Sequence, residues 1–92
     1  MHAPQQMERP LLEQSFGAVV RELRTAAGLS QERLAERADL HRNYVGLIER
    51  GLNSPTLAAV SALAGALGLL PSELVRLTEE RAGLLPTRPV PP

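Results

Sequence analysis

Cysteine is missing from the 92 residues, which excludes disulfides and thiolate metal sites. Two histidines, His2 and His41, stand too far apart to build a zinc site by themselves, so no metal is expected. No apolar run approaches the eighteen or so residues that span a bilayer. The opening MHAPQQMERPLL lacks the apolar centre of a signal peptide, which makes a reducing, cytoplasmic location the expectation. A Ser-His-Asp set, a glycine-rich phosphate loop and grouped carboxylates are also wanting. Neither catalysis nor a cofactor is therefore expected.

Excess charge is absent too: ten basic residues balance ten acidic ones. Taken alone, that balance argues against a nucleic-acid partner. Lysine does not occur, however, and all ten basic residues are arginine, whose planar fork of donors matches phosphates and guanine edges. Codon bias in a GC-rich genome accounts for the same preference, so distribution has to decide.

What is present is helical periodicity, and no stretch alternates as a strand would. Phe16, Val20, Leu23 and Ala27 fall on one face of a first helix that ends at Gly28. Ser30 caps a second helix over residues 31–38 with Leu34, Ala35 and Ala38 inward. A third helix follows Asp39 and Leu40, with Val45, Ile48 and Leu52 inward, Arg42, Asn43, Leu47 and Arg50 outward, and Gly51 as its stop. Leu57, Val60, Leu63, Ala64 and Leu67 make a fourth stripe closing at Gly68. Pro71 opens a fifth helix that carries Leu74, Val75 and Leu77 and ends near Gly83. The expected architecture is all-α: a loose arm over residues 1–12, a five-helix domain over 13–82 and a proline-rich tail over 83–92.

Two short helices joined by a tight turn leave the outer face of the second free to enter a groove. That face shows Arg42, Asn43 and Tyr44 at its start, where arginine suits guanine O6 and N7 and asparagine suits adenine N6 and N7. Gly46 in the middle of a helix costs about 1 kcal/mol against alanine. Either a backbone, of a neighbouring helix or of DNA, comes close there, or the glycine is flexibility without purpose.

The segment GLSQERLAERADLHRNYVGLIERGLNSPTL resembles the lambda-repressor-like, xenobiotic-response-element family of helix-turn-helix regulators over about residues 16–77. The likeness rests on Leu29-Ser-Gln31, Leu34-Ala35, the run from Tyr44 to Gly51, and Ser54-Pro55-Thr56-Leu57. It implies a sequence-specific, double-stranded DNA-binding regulator, nucleoid-associated, with the third helix in the major groove. By the same resemblance Gln31 bonds a phosphate and steadies the recognition helix, and Arg42 and Asn43 read bases. Leu47 touches a thymine methyl or serves a dimer, and Tyr44 either reaches the DNA backbone or packs on the second helix. Arg50 is placed on the DNA side, while His41 departs from the small capping residue usual in the family. Arg24 and Glu49 match a structural pair joining the first and third helices.

Surplus leucines, among them Leu70, Leu74 and Leu77, suggest that the fifth helix pairs with its copy across a two-fold axis. A homodimer would then read a palindromic operator with half-sites about 34 Å apart. The rival reading is a protein-binding module, an antitoxin or coactivator, on the same fold. Restriction-modification controllers and stand-alone repressors both fit the small size.

Overall fold

The computed structural model describes residues 5–84, with side chains from residue 11 onward. Five α-helices follow one another: α1 (Gln5–Ala26), α2 (Gln31–Ala38), α3 (Arg42–Glu49), α4 (Leu57–Ala66) and α5 (Pro71–Ala82). No strand occurs among the described residues, in accord with the all-α expectation.

Local chemistry sets each boundary. Ser30 Oγ accepts the Arg33 N–H at 3.1 Å and Thr56 Oγ1 accepts the Ala59 N–H at 3.0 Å, each satisfying one free donor at a helix start. At α5 the Glu73 carboxylate reaches back to the Leu70 N–H at 2.8 Å. α3 stops because Gly51 takes φ +72°, a left-handed conformation that costs glycine little. Its N–H then reaches the Ile48 carbonyl at 3.0 Å, and the Leu52 N–H reaches Leu47 at 2.9 Å, the bond pair of a Schellman ending. α2 ends instead on Asp39 (φ 56°), a residue type that tolerates the left-handed region.

α1 lies against both α5 and α3, α2 against α3 and α4, and α4 against α5. Val20, Leu34, Val45, Ile48, Leu63 and Leu74 are wholly buried where these helices meet. α1 and α5 are also joined by an exposed Arg81–Glu22 ion pair, which holds the Glu22 carboxyl below the usual carboxylate range.

Several expectations need correction. The first helix begins at Gln5, not after residue 12, so Pro10 lies within its second turn. Ala27 is exposed, beyond the last turn of α1. Leu52, 64% exposed, has left α3 beyond Gly51, and Leu57, 82% exposed, turns outward in the first turn of α4. α4 is so uniformly apolar (LAAVSALAGA) that spacing alone does not select its face; Ala59, Val60, Leu63 and Ala64 are the residues buried.

The largest correction concerns the leucines assigned to a partner. Leu74 is 0% exposed and Leu77 packs against the core. That stripe holds α5 to its own chain, and Leu74 is unavailable to a second copy. Leu70, 63% exposed at the N-cap of α5, does face outward, as does Val75. Leu85 and the proline run over 86–92 lie outside the described residues.

Candidate nucleic-acid interface

α2 and α3 are joined by a turn over residues 39–41, in which the Leu40 N–H reaches back to the Ala35 carbonyl at 2.9 Å. Val45 and Ile48, both 0% exposed, anchor the inner face of α3. Its outer face thereby becomes one wall of a shallow groove lined by Gln31, Arg42, Asn43, Gly46, Leu47 and Arg50. Five of these six were singled out from the sequence as DNA-facing. The sixth is Gly46.

Arg24 and Glu49 hold the groove in place from below. Glu49 Oε2 accepts Arg24 Nε at 2.6 Å, and Oε1 accepts both Arg24 Nη2 and Gln31 Nε2, each at 3.0 Å. Arg24 Nη1 continues to the Leu29 carbonyl at 2.8 Å. One carboxylate thus ties together α1, the start of α2 and the end of α3. Side-chain exposures of 14% for Arg24 and 3% for Glu49 make the pair costly to break. Hydrogen bonding to Glu49 outweighs burial and raises Arg24 above the usual arginine value. Glu49→Ala should lower stability by about 2 to 3 kcal/mol, read as a shift in the urea midpoint at unchanged slope. An unchanged midpoint would mean that the network adds nothing to the fold.

Gln31 has one amide hydrogen committed to Glu49 and a second free for an acceptor in the groove. Arg50 is exposed, and its Nε donates to the Gly46 carbonyl at 3.4 Å. Arg42 and Asn43 are exposed at the first two positions of α3.

Two of the residues singled out do not join the groove. His41 is the N-cap of α3, its Nδ1 accepting the Asn43 N–H at 3.1 Å; the ring does the work of the small capping residue it replaces. Tyr44 is half-buried against the core, and its hydroxyl accepts the Thr56 N–H at 3.4 Å. That bond joins α3 to the N-cap of α4, while the ring packs on a core that includes Leu34, Ala35 and Ala38 of α2.

Charge distribution answers the objection raised by a net charge of zero. Among the described residues the ion pairs engage Arg24, Arg33, Arg76 and Arg81. Arg42 and Arg50 have no carboxylate partner there, and no acidic residue lines their groove. Two guanidiniums without an ion-pair partner beside two side-chain amides suit a polyanion with base edges, while Glu32, Glu36 and Asp39 line an adjoining depression with Arg42.

Gly17 was not singled out. A Cβ on it would overlap the Ile48 carbonyl oxygen and stand 2.7 Å from that of Glu49. Here the backbone of α1 meets the last turn of α3, so Gly17 sets how closely α3 sits against α1. A glycine inside a helical stripe was the available signal.

The helix-turn-helix family HTH_3 matches residues 20–74, more than half of the chain. The chain belongs to that family. Its HTH_3 domain is similar to the control protein C.BamHI of Bacillus amyloliquefaciens, 41% identical over 64 residues, covering 68% of this chain and 79% of the relative. The immunity repressor of Bacillus phage phi105 is 41% identical over 61 residues, although the match covers only 42% of that repressor. Among solved structures, the restriction-modification controller protein C.AhdI from Aeromonas hydrophila superposes with a TM-score of 0.66 at 50% identity, covering 67% of this chain and 94% of that one. Family and fold make this HTH_3 protein a DNA-binding transcriptional regulator. No single helix among the described residues is long and apolar enough to cross a membrane.

Proposed function

We propose that the protein acts in the cytoplasm, on the nucleoid, as a homodimer that lays α3 of each copy into successive major-groove faces of a palindromic operator. The carrying observation is the acid-free groove in which Arg42, Asn43, Leu47 and Arg50 of α3 meet Gln31 of α2. Arg42 and Asn43 read base edges, while Gln31, held by Glu49, uses its remaining amide hydrogen on a phosphate. Arg50 adds a phosphate contact at the far end of α3. His41 and Tyr44 act indirectly, by fixing the start of α3 and the loop beyond it.

The names borne by C.BamHI and C.AhdI favour a controller of restriction-modification genes, and that of the phi105 protein a repressor. Both roles use the same dimeric reading of an operator. The pairing surface is assigned to exposed apolar side chains of the α5 region and α1, Leu70 together with Val75, which lines one hollow with Leu12.

Arg42→Ala should cost roughly 1 to 3 kcal/mol on the preferred operator and relax preference at one base pair, whereas Gln31→Ala should weaken all sequences alike. Titrating each variant against the preferred and a scrambled duplex distinguishes the two. Equal losses from both variants on both duplexes would refute the division into reader and anchor.

A further inference from the structure

Two glycines lie inside helices with no packing reason for it. A Cβ built on Gly65, in α4, meets nothing within 4 Å, and one on Gly46 meets only Gln31 Oε1 at 3.8 Å, an ordinary contact. The protein's own backbone does not crowd Gly46, in contrast with Gly17. Alanine would fit at both places and favour the helix. Gly65 is exposed on α4 and lines no part of the α2–α3 groove. Gly46 is in that groove, one turn after Arg42, one turn before Arg50 and next to Leu47.

Long side chains stand one turn to either side of a position that has none. The outcome is a notch about one methyl group deep, floored by backbone and bordered by Leu47 and by Gln31 Oε1, with Arg50 Nε donating to the Gly46 carbonyl at its edge. The only apolar group that projects from base edges into the major groove is the thymine C5-methyl. We infer that Gly46 is a specificity-determining residue: its missing side chain admits a thymine methyl, with Leu47 as the apolar wall. This rests on the groove being the DNA-reading face. The glycine then gives up helix stability in the free protein for a close approach in the complex.

Gly46→Ala and Gly65→Ala should each raise the thermal midpoint, by roughly 4 to 8 °C for the full alanine gain. Gly65→Ala should bind the preferred operator like the parent protein. Gly46→Ala should lose affinity for it by about ten- to a hundredfold. In the parent protein, uracil in place of thymine at one position of each half-site should weaken binding, and in Gly46→Ala the same replacement should recover affinity, because uracil lacks the methyl that the added Cβ displaces. Arg42→Ala, run alongside, reports on the groove itself. If Arg42→Ala loses affinity and Gly46→Ala does not, the notch is refuted and the groove stands. If neither loses affinity, the groove assignment fails and the notch with it. A lowered midpoint for Gly46→Ala, equal losses on operator and scrambled duplex, or indifference of the parent protein to uracil at every position would each overturn the inference.

Discussion

Leu74→Asp should unfold the protein, not divide a dimer. Leu74 is 0% exposed among the helices of its own chain. Truncation to alanine alone would cost about 3 to 5 kcal/mol, and a buried carboxylate without a partner adds a further penalty. Domains of this size have total stabilities of only about 5 to 15 kcal/mol, so the cooperative thermal transition should disappear. Leu70→Asp is the informative contrast: at 63% exposure it should leave the melt nearly unchanged. Any change in sedimentation mass in that variant then reports on pairing. A folded, monomeric Leu74→Asp protein would contradict the packing of α5 described above.

Gly17→Ala should destabilise by about 3 kcal/mol or more, the largest effect expected from a methyl group added at any of the helical glycines Gly17, Gly46 and Gly65. Its Cβ would overlap a backbone oxygen, and the obstacle continues along the last turn of α3 to the Glu49 carbonyl. Side-chain rotation cannot relieve that overlap, so α1 must move off α3. Because Arg24 on α1 also holds Glu49 on α3, the same displacement strains the ion pair and tilts the outer face of α3 proposed to read DNA. Weakened DNA binding should therefore accompany the lower urea midpoint. An unchanged midpoint would show that α1 and α3 do not approach as closely as described.

Most of the helical layout was legible because its punctuation is chemical. Ser30 and Gly51 carry caps that depend on a single side chain or on the lack of one, and Val45 and Ile48 recur at helical spacing. What was not legible depended on distance between elements. The Leu74–Leu77 stripe is equally consistent with an inward or an outward face until α1 is seen to cover it. α4 is apolar all round, so Leu57 could be placed only by packing. Gly17 and Gly46 look alike in the sequence, yet one is crowded by α3 and the other meets only the end of the Gln31 side chain at ordinary contact distance. His41 shows the limit of resemblance: the family pattern marked it as a departure, while the ring nitrogen performs the ordinary capping bond.

For the groove, residue types and spacing identified Arg42, Asn43, Leu47 and Arg50, because a helix start facing outward needs no tertiary information to be recognised. Their freedom from carboxylates was not legible. Ten arginines and ten acids give no hint that Arg24, Arg33, Arg76 and Arg81 carry the ion pairs and leave the groove basic.

The central claim is sequence-specific, two-fold reading of duplex DNA through this groove, and selection of bound sites from random duplex DNA by the full chain tests it most directly. The selected pool should converge on a palindrome with half-sites one helical turn apart. Affinity for it should fall steeply between two salt concentrations as counterion release weakens, and should exceed that for scrambled DNA at both. A pool that fails to enrich, bound weakly and equally at every sequence, would contradict the account and transfer the fold to a protein-binding role.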